Sequence, residues 1–397
     1  MTARRAGKGS SSERPHVALL VETSLGSGRD ILRGIARYLQ EHSGWSLYHE
    51  PHGLTDALPT WLRHWRGNGI IARVQTPGMA EVIRALKIPV VDVLGVVPEA
   101  RFPLVHVNNA AIAHMAAEHL MERGLRHFAC FGIQGENWSD ERYESFARSV
   151  SQWQTEVPLC EFPRDVLDNR AWEDVVDVVV QWVTQLPKPS GVFVCSDLRG
   201  PLLLEACRRA GVSVPDEIAV ISVDNDEPLC EVCDPPLSSI QAGHTAVGYE
   251  AAALLDDLLS GRSPVKDRIS VAPREVVPRL STETLAVDDP AIAAALRLIR
   301  DRAHEGIGVE QIARHTGLSR SVLQRRFRAR LRRSVHQEIL AAKIKRAQHL
   351  LLKSDLPLAT VAARAGFKHQ EYLGAVLKER LGKTPGEIRA MARRGVE

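Results

Sequence analysis

No run of about 18 apolar residues occurs in the 397-residue chain, which leaves no candidate transmembrane helix. The phosphate-loop pattern GxxxxGK followed by Ser or Thr is missing, as are HExxH and the nucleophile-elbow GxSxG, so three common chemistries have no anchor. Cysteine is sparse and dispersed: Cys130, Cys160, Cys195, Cys207, Cys230 and Cys233. Cys230 and Cys233 form a CxxC, but no second ligand pair follows at zinc-site spacing. The expectation is a local loop pair without metal, and no cofactor. The apolar run Val17 to Val21 is too short for a signal-peptide core, so a cytoplasmic protein with reduced thiols is expected. Net charge is also small, at +3. That balance hides a partition. From Asp288 onward there are 23 Lys plus Arg against 11 Asp plus Glu, while residues 1–287 hold 28 against 37. A basic end on an acidic body is the footprint of a nucleic-acid-binding module joined to something else, although a merely solvated basic surface has the same composition.

What is present is strand and helix in alternation. Residues 1–15 are basic and Ser-rich and read as a disordered tail. Strand-like apolar runs follow at 16–21, 69–74, 89–95, 105–107, 127–132, 191–197 and 218–226. Between them lie helical stretches at 29–41, 80–86, 111–123, 141–153, 171–186, 199–210 and 248–259. Runs that are apolar throughout belong in parallel sheets covered on both faces. Such alternation over about 250 residues suits an α/β architecture of two lobes. Ligands in these folds sit beyond the C-terminal strand ends. That rule selects the segments 22–30, 133–142, 196–199 and 224–227.

The domains are expected at 16–277 and 290–397, with a linker over 278–289, where periodicity lapses between prolines. The second domain reads as all-helical. Two of its segments share a layout. In 309–331 a short helix with Ile312 and Ala313 meets a turn at Gly317. A second helix opens on Ser319 and buries Val322, Leu323 and Phe327. In 358–382 Val361 and Ala362 precede a turn at Gly366, and the next helix buries Tyr372, Leu373, Val376 and Leu377. These are two helix-turn-helix patterns on a basic background. A long helix, roughly 335–353, joins them.

These residues resemble the AraC family of bacterial regulators. The matching positions are Arg346-Ala347, Leu350-Leu351, Val361-Ala362, Gly366-Phe367, the run Gly382-Lys383-Thr384-Pro385, and Ile388-Arg389. The resemblance implies double-stranded DNA as partner. Ser319, Arg320, Ser321, Gln324, Arg325 and Arg328 would belong to the first recognition helix, with Ser321, Gln324 and Arg325 toward bases. The second would offer His369, Gln370 and Glu371. Gly374 and Ala375 are too short to reach far, so the first unit is expected to carry most base reading. Arg326, Arg328, Arg330, Arg332 and Arg333 read as a solvated face touching phosphates.

The α/β part resembles the periplasmic-binding-protein fold as used by LacI/GalR-type regulators, through Asn108-Asn109, the stretch 119–132, the stretch 212–226 and the stretch 238–261. Only 15 residues precede it, too few for a DNA-reading unit there. The combination of this domain with an AraC-type end resembles the xylose-operon activators. A sugar presents a fan of hydroxyls, which carboxylates accept from and arginine donates to. Asp197 and Asp224 end apolar strands, and Arg142 opens the helix after the 133 loop. By the resemblance these three hold the sugar; helix capping or a surface salt bridge is the plainer alternative for each. Arg29, Arg73 and Trp138 are further effector-binding candidates, Trp138 being equally suited to the core.

The expected function is a sugar-responsive transcriptional regulator, an activator of xylose-utilisation genes, acting as a homodimer with RNA polymerase and without a membrane. Xylose is the first choice of sugar, with another pentose or a hexose as the alternative, and repression in place of activation stays open. A carbohydrate-processing enzyme is the competing class. It requires a carboxylic acid of raised pKa, and Arg142 is expected to keep Asp197 and Asp224 ionised.

Overall fold

Apolar runs form strands that are buried on both faces: every residue of the strands at 69–72, 190–194 and 218–223 is buried. The computed structural model describes residues 14–42, 44–51, 53, 58–166, 170–262, 266–283, 289–354 and 356–394. It divides into two compact units, Met1–Leu285 and Ala286–Glu397. The expected tail lies outside the described residues apart from Arg14 and Pro15.

The first unit has two lobes. In chain order the first lobe holds β1 (His16–Leu20), α1 (Gly26–His42), β2 (Ser46–His49), β3 (Gly69–Ala72), α2 (Pro77–Ala85), β4 (Val90–Asp92) and β5 (Leu104–Val107). The chain then crosses to the second lobe. There it forms α3 (Asn109–Glu122), β6 (His127–Gln134), α4 (Asn137–Val150), β7 (Leu159–Pro163), α5 (Trp172–Gln185), β8 (Ser190–Val194), α6 (Gly200–Arg209), β9 (Ile218–Val223), α7 (Glu227–Val232) and β10 (Ser238–Gln241). It returns for α8 (His244–Leu259) and β11 (Arg268–Val271), and crosses a third time to β12 (Glu275–Val277). The sheets run β11-β5-β4-β3-β1-β2 and β12-β10-β9-β8-β6-β7. All the pairings are parallel except β12 with β10. The architecture is the two-lobed α/β one expected.

Several details differ from the sequence reading. Strands β2, β7, β10, β11 and β12 carry short, mixed patterns at or near sheet edges and were not expected. Helix α4 begins at Asn137, one turn before the expected start. Cys230 and Cys233 lie in and just after α7 rather than in a loop, both buried and both free thiols. Residues 278–283, expected as linker, are anchored in the second lobe. Ser281 and Thr282 are fully buried. Ser281 Oγ donates to the Val220 carbonyl at 2.6 Å and accepts from the Ser238 amide at 2.8 Å. Polar side chains that replace backbone partners let an aperiodic segment pack, which periodicity cannot signal. Residues 284–288 of that expected linker lie outside the described residues.

The same anchor buries a histidine. His119 Nε2 is 2.9 Å from Thr282 Oγ1. Arg123 lies beside it and donates to the Thr282 carbonyl at 2.7 Å. Burial, then the Arg123 charge, lowers the His119 pKa to about 3. The unfolded chain therefore binds a proton that the fold refuses, once pH falls below the ordinary imidazole value near 6.5. Stability contributed by neutral His119 is present above that pH and is lost below it. His119→Gln keeps a hydrogen-bonding group without the titration. Its stability deficit relative to wild type should narrow by up to about 1.4 kcal/mol per pH unit below pH ~6.5. Urea unfolding of both proteins across that range measures it; parallel curves would refute the assignment.

The second unit is helical: α9 (Pro290–Arg302), α10 (Val309–Thr316), α11 (Arg320–Leu331), α12 (Val335–Lys353), α13 (Leu358–Arg364), α14 (Gln370–Leu381) and α15 (Pro385–Arg394). It has two apolar cores. Ile312, Leu323 and Phe327 belong to the first, and Val361, Leu373 and Leu377 to the second. Helix α12 serves both, giving Val335 and Ile339 to one and Ile344, Ala347 and Leu351 to the other. This is the expected all-α unit with two helix-turn-helix patterns. Two burial expectations are corrected. Val322 is only half-buried, and Tyr372 is 56% exposed, with its ring 6.0 Å from Phe367. Leu373, one position on, is fully buried as expected.

Candidate functional site

A cleft lies between the two lobes at the C-terminal ends of their strands. The first lobe lines it with Leu25, Ser27, Arg73, Val93, Leu94, His106, Val107 and His244. The second adds Asn109, Ile133, Trp138, Arg142, Arg164, Ser196, Leu198 and Asp224. Four of the six expected effector residues are therefore brought together: Arg73, Trp138, Arg142 and Asp224.

Asp224 follows β9 with φ +107°, and Asn225 with φ +53°. A β-carbon is strained in that region, at about 1–3 kcal/mol, and such strain clusters at binding sites. The Asp224 amide holds the strand register by donating to the Ile240 carbonyl at 2.9 Å. His244 Nε2 lies 3.1 Å from Oδ1, and Ser196 Oγ donates to Oδ2 at 3.0 Å. Each oxygen thus has one internal partner and a lone pair to spare. Burial raises the carboxyl pKa, but the His244 hydrogen bond and the charges of His244 and Arg142 outweigh it and hold Asp224 below its usual value.

Arg142 is buried and oriented on three sides. Its Nε donates to Asn109 Oδ1 at 2.9 Å, and its Nη1 donates to the Cys195 carbonyl. Its guanidinium carbon lies 4.9 Å from the Trp138 ring centre. Trp138 Nε1 in turn donates to Glu136 Oε2 at 2.8 Å, and Glu136 pairs with Arg164 at 2.5 Å. Arg73 pairs with the fully buried Glu22 and donates to Ser27 Oγ at 3.1 Å. Each arginine of the wall has a carboxylate charge nearby: Arg73 pairs with Glu22, Arg164 with Glu136, and the Asp224 charge, lining the same cleft, acts on Arg142. A wall of balanced charge with many fixed donors and acceptors suits an uncharged polyhydroxyl ligand.

Two expected residues are not in the cleft. Asp197 is 1% exposed, and its carboxylate is taken by Ser239 Oγ at 2.7 Å and the Asp226 amide at 2.8 Å. The residue facing the cleft is its neighbour Ser196, because side chains alternate as the chain leaves β8. Arg142 does not keep Asp197 ionised either. Burial, then the Asp224 charge, pushes the Asp197 pKa up to about 7. Shut away from the cleft, that carboxyl has no substrate to protonate. Arg29 is the second correction: it turns from the cleft to Asp226, at 3.0 Å. Sequence reasoning also missed Ser27, His106, Asn109, Arg164 and His244. His106, Asn109 and His244 sit where the chain crosses between lobes, and a crossover leaves no mark on periodicity.

In the helical unit Gly317 closes the first turn at φ +67°, and Ser319 Oγ accepts from the Val322 amide at 3.4 Å to start α11. Ser319, Arg320, Ser321, Gln324, Arg325 and Arg328 are all exposed on that helix, as are His369, Gln370 and Glu371 at the start of α14. Arg320 is tied to Glu310 at 2.6 Å, and Gln370 Nε2 donates to Glu371 Oε1 at 3.2 Å.

Three family models match successive parts of the chain: a XylR N-terminal domain over residues 16–110, a periplasmic binding protein-like domain over 117–282, and a helix-turn-helix domain over 312–391. The xylose operon regulatory protein of Haemophilus influenzae is 31% identical over 383 residues, covering 94% of this chain and 97% of that one. The chain belongs to the xylose operon regulatory protein family. The Escherichia coli K12 member of the family is 29% identical over 388 residues, covering 95% and 97% of the two chains. A solved structure titled xylose-binding transcription activator xylR superposes with a TM-score of 0.79 at 28% identity, covering 96% of this chain and 99% of that one. As a member of this family the chain is a sugar-responsive, DNA-binding transcriptional regulator. Among the described residues no helix is long and apolar enough to cross a membrane.

Proposed function

We propose that the effector is D-xylose, taken up by the cleft between Asp224 and Arg142, and that the protein activates xylose-utilisation genes in the cytoplasm. The observation that carries this reading is the strained, doubly braced Asp224 facing a buried Arg142. Asp224 accepts from two neighbouring hydroxyls and Arg142 donates to another, while Arg73, Trp138 and Ser196 complete the contacts. Family membership points to xylose, and the balanced charge of the wall favours a neutral sugar over a sugar acid. Closure on the sugar changes the placement of two DNA-reading units in a homodimer, which then spans half-sites and recruits RNA polymerase. The bound sugar leaves unchanged, so no enzymatic step is involved.

The test uses the full chain. Its melting temperature is followed with D-xylose, L-arabinose, D-ribose and D-glucose, since a ligand at about 100 times its Kd adds about 2.7 kcal/mol to the folded state. DNA affinity is then measured with and without the active sugar at fixed salt. A shift with D-xylose alone, together with tighter DNA binding, supports the reading. A shift with another sugar replaces xylose, and equal DNA affinities at several half-site spacings refute the switch.

Ser319, Arg320, Ser321, Gln324, Arg325 and Arg328, with His369, Gln370 and Glu371, form the proposed DNA surface. Arg325→Ala should cost about 1–3 kcal/mol of operator affinity and relax preference at one base pair. Arg328→Ala should weaken all sequences alike and reduce the salt slope by about one. Fluorescence anisotropy on an operator and on its single-base variants separates the two outcomes. Identical profiles for both substitutions would remove the distinction.

A further inference from the structure

Arg29 reaches across to the other lobe. Its Nη2 donates to both carboxylate oxygens of Asp226, at 3.0 and 3.1 Å. Its Nη1 is steadied by the Thr23 and Ser24 carbonyls, at 2.9 and 3.1 Å. The Gly26 amide also donates to Asp226 Oδ2, at 2.8 Å. Gly26 opens the 17-residue helix α1, so Asp226 lies at the end of that helix where its dipole favours a carboxylate. A β-carbon at position 26 would fall 2.8 Å from the Asp226 carboxyl carbon. Glycine is what lets the two lobes approach this closely.

Asp226 shares a turn with Asp224. Asp197, lost to the cleft, is what holds that turn. One of its oxygens accepts from the Asp226 amide and the other from Ser239 Oγ, and Ser239 Oγ itself accepts from the Asn225 amide at 3.0 Å. Arg279 Nη2 donates to Asn225 Oδ1 at 2.9 Å. The turn therefore presents two carboxylates in fixed relation, Asp224 to the cleft and Asp226 to the opposite lobe. Neither Arg29 nor Asp226 lines the cleft.

We propose that the Arg29–Asp226 pair is a closing contact between the lobes that acts without sugar and sets how much sugar the response requires, with Asp197 as the positioning residue that ties it to Asp224. The inference rests on the reading that sugar binds in the cleft. Apparent affinity equals intrinsic affinity multiplied by the fraction of molecules already closed. Breaking the pair lowers that fraction. Every sugar then weakens by the same factor, and selectivity between sugars is untouched. A residue that contacted the sugar would instead change one sugar relative to another.

The experiment uses the full chain and the variants Arg29→Ala, Asp226→Ala and the two combined, with Arg29→Lys as the charge-retaining rescue. Calorimetric titration with D-xylose and L-arabinose gives two affinities for each protein. Hydrogen exchange over residues 23–31 without sugar reports the Gly26 amide directly. The expected result is about tenfold weaker binding of both sugars with their ratio unchanged, no further loss in the double variant, and about tenfold faster exchange at Gly26. Arg29→Lys should recover part of both effects. Unchanged exchange, or a changed ratio between the sugars, overturns the proposal. If the wild type binds neither sugar, the cleft reading fails, and faster exchange in the variants still establishes the closing contact.

Discussion

Asp224→Ala should weaken sugar binding by at least about a hundredfold. On the proposed reading the Asp224 carboxylate accepts from two hydroxyls, and its removal forfeits two charge-assisted hydrogen bonds, each worth about 1.5–3 kcal/mol. The sum corresponds to an affinity loss of about a hundredfold to ten-thousandfold. The substitution also takes from buried Arg142 the Asp224 charge that favours its charged form, which adds a cost in the unliganded protein. A loss through unfolding must be told apart from a loss of binding, and the backbone offers the means. Asp224 sits at φ +107°, where glycine is unstrained. Asp224→Gly therefore removes the same carboxylate while relieving strain of about 1–3 kcal/mol. It should fold at least as stably as Asp224→Ala and bind sugar as weakly as that variant. Calorimetric titration beside a thermal melt decides the matter. If Asp224→Gly binds sugar within threefold of wild type, the carboxylate is not a sugar ligand.

The first-order architecture was legible because it rests on composition. Apolar runs such as Ile218–Val223 can only be buried on both faces, and the strand-end rule then points at the loops that hold Arg142 and Asp224. Below that level the sequence was ambiguous for identifiable reasons. At Ser196-Asp197 the decision turns on one residue of alternation, and the stronger ligand type sits on the wrong side. Arg29 belongs to the right loop, but its partner is 197 positions away on the other lobe. His244 reaches Asp224 from the first residue of α8, directly after a crossover that no local pattern announces. The helical unit was legible through turn glycines and spacing, yet Tyr372, expected in the core beside Leu373, is exposed, because adjacent helix positions point in different directions and Leu373 is the one that faces the core.

The same crossovers make one pair of helices the keel of the first lobe, and the largest expected loss of stability lies there. Helices α1 and α8 cross with their backbones in contact. A β-carbon at Gly34 would strike the Thr245 carbonyl, and one at Gly248 would strike the Ile31 carbonyl. Both obstacles are backbone, so neither can rotate away. Gly248→Ala must separate the helices, pulling buried Ile31, Ile35, Val247 and Leu255 out of register. The cost belongs at the upper end of overpacking, about 3 kcal/mol, a fall of roughly 6–12 °C in Tm for a unit of this size. Gly78→Ala in α2 is the control, since nothing lies within 4 Å of its added methyl. It should leave stability unchanged or raised by up to about 1 kcal/mol. The consequence extends to the switch. The first residue of α1 donates to Asp226 and the first residue of α8 reaches Asp224, so this helix pair carries two of the bonds to the second lobe. Separating the helices loosens both at once. Folded Gly248→Ala protein, at a temperature below its melt, should therefore bind sugar more weakly than Gly78→Ala protein. Equal melting temperatures for the two variants would show that the helices can part freely, and the close crossing would then have no bearing on closure.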